Sequence, residues 1–184
     1  MKKAVFLDRD GVIVKNINGE APTKVSALEL TTGTVSLILG LQKKRYKIVV
    51  VSNQPDVALG KINEEIKKGL VKKFSRLLKQ SNVSVNGIYY CFHHPSSVIK
   101  KYSKDCNCRK PKPGMFLKAI HDHKILVGGS YIVGDRASDI KAGSLIGLKT
   151  ILIDPENSEV NYLSEYKVSP DFIIKKLSDI LDII

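Results

Sequence analysis

The sequence predicts an α/β fold built on a doubly wound, mainly parallel sheet. Two observations support this prediction. Short apolar runs of strand length alternate with segments of helical periodicity, as in a parallel sheet that helices cover on both faces. Polar residues follow several of these runs directly, at the sheet edge where such folds bind ligands. The chain has 184 residues, about the length of one domain, and we expect a single domain over residues 1–184.

The elements follow one another in chain order. Strands are predicted over residues 4–7, 46–51, 87–92, 131–133 and 150–153, with a possible edge strand over 171–174. Apolar residues recur every three or four positions over 34–44, 64–80, 113–123 and 139–145, which predicts helices there and one more at the C-terminus. Residues 14–30 and the segment from 93 to 112 lack this periodicity. A loop as long as the second segment needs a stabiliser of its own.

The composition favours anionic partners. Thirty Lys and Arg residues against 18 Asp and Glu residues give a net charge of +12, which suits phosphorylated metabolites or nucleic acid. The lysines are scattered in pairs, so we interpret most of this charge as an aid to solubility. The apolar run after Met1 is too short for a signal peptide, and no stretch has the length of a membrane span. We therefore expect a cytoplasmic monomer with no membrane partner.

The first strand ends in two carboxylates two residues apart, Asp8 and Asp10. Side chains at positions i and i+2 of an extended backbone leave on the same face, so both would point into one site. Two carboxylates that close repel each other unless a cation lies between them or one is protonated. The pattern predicts metal-assisted attack on a phosphate, the alternative being an ordinary solvated turn.

All three cysteines lie in or directly before the long irregular segment, within about residues 91–113, which we call the zinc loop. The patterns Cys-x-His and Cys-x-Cys supply four ligands that suit tetrahedral Zn²⁺, namely Cys91, His93, Cys106 and Cys108. The alternative is three buried thiols beside a chance histidine, and a disulfide is disfavoured in a cytoplasmic protein. A closed site of four ligands predicts structural zinc that braces the loop and places Arg109 and Lys110 over the sheet edge.

The order of the motifs resembles the haloacid dehalogenase superfamily of phosphotransferases. These motifs are Asp-x-Asp-Gly after the first strand, Ser52-Asn53 after the second, Lys110 in the loop, and Gly134-Asp135 after the fourth strand. The resemblance implies that Asp8 is the nucleophile and Asp10 the general acid and base. It implies Mg²⁺ held by Asp8, Asp135 and the main-chain carbonyl of Asp10, with Ser52 and Lys110 stabilising the transferred phosphoryl group.

The zinc loop narrows this resemblance. The loop and the motif Asp8-Arg9-Asp10-Gly11-Val12 together resemble the same segments of the capless D-glycero-D-manno-heptose 1,7-bisphosphate phosphatases. The related histidinol-phosphate phosphatases share the zinc loop. The resemblance implies substrate contacts from five residues, namely Asn53, Gln54, Arg109, Lys110 and Arg136. The chain departs from the family pattern at Val14, over residues 18–20 and over residues 55–60, where Pro55 and Leu59 offer no polar contact.

These observations lead to one main hypothesis and three alternatives. The main hypothesis is an Mg²⁺-dependent phosphatase with structural Zn²⁺ that removes the 7-phosphate of a heptose 1,7-bisphosphate through an aspartyl-phosphate. The first alternative is a histidinol-phosphate phosphatase. The other two are a nucleic-acid 3′-end phosphatase and a non-catalytic basic module that binds nucleic acid. The zinc loop, which resembles that of the sugar phosphatases, disfavours the end phosphatase. The non-catalytic module is disfavoured because aromatic and basic residues do not interleave as in nucleic-acid-binding surfaces.

Overall fold

A parallel sheet of six strands forms the centre of the computed structural model, which describes residues 1–184. The strands are β1 (Ala4–Leu7), β2 (Lys47–Asn53), β3 (Gly87–Cys91), β4 (Tyr131–Gly134), β5 (Lys149–Ile153) and β6 (Phe172–Ile174). Their spatial order is β3-β2-β1-β4-β5-β6, and every pairing is parallel. The doubly wound prediction is therefore confirmed. The order of the strands reverses between β1 and β4, where this kind of sheet opens a ligand crevice.

Helices cover both faces of the sheet. They are α1 (Thr34–Lys43), α2 (Glu64–Gln80), α3 (Gly114–His123), α4 (Ala137–Ser144), α5 (Val160–Glu165) and α6 (Ile180–Ile183). Successive side chains of β1 point to opposite faces. Val5 and Leu7 belong to one apolar cluster with buried residues of α1 and α2, whereas Ala4 and Phe6 belong to a second cluster with those of α3 and α4. The two clusters fix β1 and its C-terminal end between them.

Helix α2 shows how the sequence determines one of these elements. Leu70, Phe74 and Leu78 recur every four positions and are buried against the sheet. The helix begins after Asn63, whose side chain accepts a hydrogen bond from the Ile66 N–H at 2.9 Å. Acidic residues in the first turn and Lys79 in the last turn complement the helix dipole. This packing places the ring of Phe74 with its centre 6.0 Å from the guanidinium carbon of Arg9.

Some element bounds differ from the prediction. Strand β2 continues through Ser52 and Asn53, because these residues pair with Tyr90 and Cys91 of β3. Helix α4 begins at Ala137, two residues earlier than predicted. Asp139 is then the third helical residue, and its carboxylate accepts a hydrogen bond from the Arg136 N–H at 3.2 Å, which caps the start of the helix.

Further differences lie near the C-terminus. Helix α5 is absent from the prediction because it is short and none of its residues is buried, so its sequence lacks an apolar stripe. The predicted C-terminal helix is a 3-10 turn over Leu177–Asp179 that continues into α6. The edge strand is confirmed as β6, which pairs with β5. None of the helices combines the length and the apolarity that crossing a membrane requires.

Candidate active site

A cavity of about 830 Å³ opens at the carboxyl ends of the strands. Its walls come from the segment after β1, the zinc loop, and residues in and around α5. Eight of the predicted site residues line it: Asp8, Asp10, Asn53, Cys106, Arg109, Lys110, Asp135 and Arg136. The volume is in the range of small-molecule sites. Residues more than a hundred positions apart are therefore brought into one polar site by the ends of β1, β2 and β4.

Lys110 lies between two buried carboxylates at the base of this cavity. Its Nζ is 2.9 Å from Asp8 Oδ1, contacts Asp139 Oδ1, and donates a hydrogen bond to the carbonyl oxygen of Val51 at 3.0 Å. Burial alone would lower the pKa of Lys110, but the carboxylates of Asp139 and Asp8 reverse this effect and raise it. The ammonium group therefore stays charged and compensates the negative charge around Asp8.

Asp135 is another buried carboxylate close to Asp8. Burial, followed by the charges of Asp8 and Asp139, raises its pKa well above the usual carboxyl range. Its Oδ1 is buried with no hydrogen-bond partner, whereas Oδ2 accepts one from Asn16 Nδ2 at 3.4 Å. Gly11, at φ +77°, faces this carboxylate so closely that a Cβ there would lie 1.9 Å from Oδ2. The close approach explains why glycine follows Asp10.

The carboxylates of Asp8, Asp135 and Asp139 each offer a ligand atom within 4.8 Å of the others. Lys110 contacts both Asp8 and Asp139, so Asp135 is the one carboxylate of the three without an ion-pair partner. The buried and unpartnered Asp135 oxygen fits the role of a cation ligand, since an uncompensated buried carboxylate is costly. An all-oxygen donor set suits Mg²⁺.

Asp10 lies beside Asp8, and other side chains hold its carboxylate. Arg9 Nε and Nη2 donate to Asp10 Oδ1 at 3.1 and 2.9 Å, and Gln54 Nε2 donates to Oδ2 at 2.5 Å. Burial raises the pKa of Asp10, Arg9 opposes this effect, and Asp8 adds to it. Ser52 Oγ accepts a hydrogen bond from the same Gln54 amide at 3.0 Å. Ser52 and Gln54 are buried and do not line the cavity, so the structure places them behind Asp10.

The other predicted contacts lie around the cavity wall. The Asn53 side chain accepts from the Lys110 N–H at 3.0 Å and donates to the Lys110 carbonyl oxygen at 3.1 Å, so it holds the loop that carries the lysine. Arg109 donates to the carbonyl oxygen of His93 at 3.5 Å, and Arg136 donates to that of Gly19 at 3.4 Å. No carboxylate pairs with either guanidinium. Both cations are therefore available to an anionic ligand.

The four predicted zinc ligands come together beside the cavity. The thiols of Cys91, Cys106 and Cys108 lie 2.9–3.5 Å apart, and His93 Nδ1 is 3.3 Å from Cys108 Sγ. All four ligand atoms lie within 4.8 Å of one another. Cys91 ends β3, and the other thiols come just before Arg109, so the cluster joins the sheet to the long loop. Three thiols and an imidazole suit tetrahedral zinc.

Several residues of the site were not predicted from the sequence. Arg9 holds Asp10, Asn16 contacts Asp135, and Lys61 pairs with Glu20 at 2.8 Å in the cavity wall. Tyr162 and Tyr166 add an aromatic surface to the cavity. No local pattern marks Arg9 as a residue of the site, because its burial depends on Phe74 and Tyr90, which come from other elements.

Comparisons with known proteins agree with this geometry. The HAD-hydrolase-like family matches residues 107–180. A D-glycero-beta-D-manno-heptose-1,7-bisphosphate 7-phosphatase of Photorhabdus laumondii is 34% identical over 177 residues, which are 96% of this chain and 92% of that protein. The D-glycero-alpha-D-manno-heptose-1,7-bisphosphate 7-phosphatase of the same organism is 38% identical over 149 residues, with 79% of each chain covered.

A solved structure shows the same fold. The D,D-heptose 1,7-bisphosphate phosphatase from B. bronchiseptica, complexed with magnesium and phosphate, superposes with a TM-score of 0.80. The alignment covers 98% of this chain and 96% of that chain, at 23% sequence identity. At this level of identity the similarity concerns the fold.

The fold and the acidic site at its strand ends define a haloacid dehalogenase-like hydrolase of phosphate monoesters. Within that class, the chain belongs to the D-glycero-D-manno-heptose-1,7-bisphosphate 7-phosphatase family. It is therefore an enzyme, and the hypothesis of a non-catalytic nucleic-acid-binding module is wrong.

Replacing Lys110 tests the charge balance of the site. In Lys110→Met, the buried carboxylates of Asp8 and Asp139 lose their shared cation. We expect the free energy of unfolding to fall by about 3–5 kcal/mol and kcat to fall at least about a hundredfold. Denaturant unfolding and steady-state kinetics measure the two effects.

A second substitution and a surface lysine serve as controls for this prediction. Asp139→Asn in the Lys110→Met background removes one of the repelling charges and should recover part of the lost stability. Lys112→Met, which breaks an exposed pair with Asp105, should change stability by less than about 1 kcal/mol. Equal effects of the two lysine substitutions would contradict the central role of Lys110.

Proposed function

We propose that this chain removes the 7-phosphate of D-glycero-D-manno-heptose 1,7-bisphosphate through an aspartyl-phosphate intermediate. The observation that carries the proposal is a single cavity with Asp8 beside Lys110 at its base and the unpaired cations Arg109 and Arg136 in its wall. A substrate with phosphates at both ends could place one at Asp8 and the other near a guanidinium, whose fork suits a phosphate. The names of the relatives agree with this substrate class.

The first half of the reaction transfers the phosphoryl group to Asp8. A carboxylate oxygen of Asp8 attacks phosphorus, the bond from phosphorus to the sugar oxygen breaks, and Asp10 gives its proton to the departing oxygen. Lys110 offsets the charge on the non-bridging oxygens, where it develops in the transition state. In our proposal the Ser52 hydroxyl assists there, after it exchanges its bond with Gln54 for one with the phosphoryl group.

The second half releases phosphate. Asp10, now a carboxylate, accepts a proton from water, and the resulting hydroxide attacks the phosphorus of the aspartyl-phosphate. The bond between phosphorus and the Asp8 oxygen breaks, which restores the Asp8 carboxylate and the proton on Asp10. The two residues keep these roles only if both carboxylates face the same phosphorus, and both line one cavity.

The residues present fit two metals. We propose that Asp8, Asp135 and the main-chain carbonyl of Asp10 hold Mg²⁺, which supplies positive charge beside the transferred phosphoryl group. The unpartnered Asp135 oxygen supports this assignment. We propose that Cys91, His93, Cys106 and Cys108 hold structural Zn²⁺. A single domain, a monomeric state and a cytoplasmic location stay predictions.

A panel of substrates tests the proposed activity. We expect kcat/KM to be highest for a heptose 1,7-bisphosphate, because Arg109 and Arg136 can pair with the phosphate that is not cleaved. Phosphate release is measured for both anomers of the bisphosphate, the 7-monophosphate, histidinol phosphate and a 3′-phosphorylated oligonucleotide. Phosphorus NMR of the product should show that the 1-phosphate remains. A higher kcat/KM for histidinol phosphate or the oligonucleotide would reject the proposed substrate.

Replacing the nucleophile tests the covalent route. Asp8→Asn should lower kcat at least about a thousandfold, because the amide oxygen is a poor nucleophile. The wild-type protein should bind beryllium fluoride at Asp8 as a mimic of the phosphorylated residue. The control is Asp122→Asn, which alters an exposed carboxylate on α3 outside the cavity and should leave kcat unchanged. Near wild-type turnover in Asp8→Asn would end the covalent mechanism.

Zinc removal tests the structural metal. Purified protein should contain one zinc per chain, and stripping it should lower the melting temperature by at least about 5 °C, because the loop then loses its link to β3. Added zinc should restore the original value, and Cys108→Ser should neither retain zinc nor respond to it. An unchanged melting temperature after verified zinc removal would show that the loop is stable without the metal.

A further inference from the structure

Arg9 is a fully buried cation that lies between the two motif carboxylates in sequence. None of its side chain is exposed to solvent. Its guanidinium carbon lies 6.0 Å from the ring centre of Phe74 in α2 and 5.7 Å from that of Tyr90 in β3. Removing such a charge from water is costly, and the cost is offset only by well-placed partners. The partners of Arg9 therefore indicate what the side chain does.

Those partners form a closed set around one carboxylate. Arg9 Nε and Nη2 both reach the Asp10 carboxylate, at 3.1–3.2 and 2.9 Å, and Nη2 also donates to Gln54 Oε1 at 2.6 Å. Gln54 Nε2 in turn donates to the second oxygen of Asp10. Asp10 Oδ1 thus accepts hydrogen bonds from Arg9 alone, whereas Oδ2 accepts from both Arg9 and Gln54. The Asp10 side chain remains 13% exposed, toward the cavity that it lines.

The buried contacts of Arg9 cost more stability than a purely structural role would justify. Arg9 Nη1 and the Tyr90 hydroxyl are both buried without a hydrogen-bond partner. Leaving buried polar groups unsatisfied costs stability, and apolar side chains often replace a buried ion pair with no loss. A costly cation whose bonds converge on one catalytic carboxylate is typical of a site where function outweighs stability.

We propose that Arg9 and Gln54 are positioning residues that fix the orientation of the Asp10 carboxylate relative to the substrate oxygen. This inference rests on the proposed function, in which Asp10 transfers the proton. Proton transfer requires heavy atoms within hydrogen-bond reach and correct alignment. A free carboxylate could rotate about its side-chain bonds, whereas the paired contacts of the guanidinium and the amide leave one edge of Asp10 facing the cavity. Gln54, which the family resemblance places at the substrate, acts in this proposal through Asp10.

Arg9→Lys and Gln54→Met test the proposal. Lysine keeps the charge but cannot make two parallel hydrogen bonds, and methionine keeps the volume but not the amide. We expect kcat to fall about 10- to 100-fold in each variant, with KM within about twofold, because substrate contacts are unchanged. Gln54→Met carries the test if Arg9→Lys does not fold. Wild-type kcat in the folded variants would overturn the proposal.

A double-mutant cycle shows whether Arg9 acts through Asp10. In an Asp10→Asn background, Arg9→Lys should lower the remaining kcat by less than about twofold, because the group that it positions is already inactive. If the fold-losses of kcat in Arg9→Lys and Asp10→Asn multiplied in the double variant, Arg9 would act independently of Asp10, and the proposal would be overturned. Near wild-type turnover in Asp10→Asn alone would reject the proton-transfer role of Asp10, and the proposal with it. A large loss in Asp10→Asn with none in Arg9→Lys would reject only the positioning role.

A stability control separates positioning from loss of fold. Ile38→Val shortens a buried side chain of α1 that does not line the cavity, and it should lower the melting temperature while leaving kcat unchanged. Melting temperatures of all variants are measured alongside the kinetics. A fall of kcat in Ile38→Val that matches its fall in melting temperature would mean that stability alone sets turnover, and this result would overturn the positioning role.

Discussion

The contact between Lys110 and the carboxylates of Asp8 and Asp139 is the interaction on which the rest of the site depends. Carboxylates packed this closely in a buried site would repel one another or take up protons. One ammonium group, only 2% exposed, contacts two of them and is held by the Val51 carbonyl oxygen at the end of the central strands. The carboxylate of Asp8, the proposed nucleophile, therefore has a cation in direct contact in a place from which most water is excluded.

Lys110 also couples the sheet to the long loop. Both backbone hydrogen bonds of Lys110 go to the Asn53 side chain at the end of β2, and two residues earlier lies Cys108 of the thiol and imidazole cluster. The loop is thus held at one point by the cluster and at the next by Asn53. A flexible lysine on an irregular segment thereby becomes as well placed as a residue on a strand, which the proposed role of Lys110 beside the phosphoryl group requires.

The sequence predicted the parts of the site that follow from strand geometry and ligand chemistry. Asp8 and Asp135 could be placed because parallel strands bring their carboxyl ends to one edge, and the zinc ligands because of their types and spacing. Arg9 could not be assigned, since its burial depends on Phe74 and Tyr90, which come from two other elements. Helix α5 was missed because none of its residues is buried. Such features are determined by tertiary contacts and leave little local signal.

The distribution of charge around the cavity explains how the chain tolerates its departures over residues 55–60. Pro55 and Leu59 line the cavity without a cation, and nearby Lys61 is already paired with Glu20. Lys104, Arg109 and Arg136 line the same cavity without a carboxylate partner. Because unpaired cations attract an anion more strongly than paired ones, the second phosphate of a substrate is expected against the zinc loop and the start of α4. The residues at positions 55–60 that depart from the family pattern then lack only contacts that binding of this phosphate does not require.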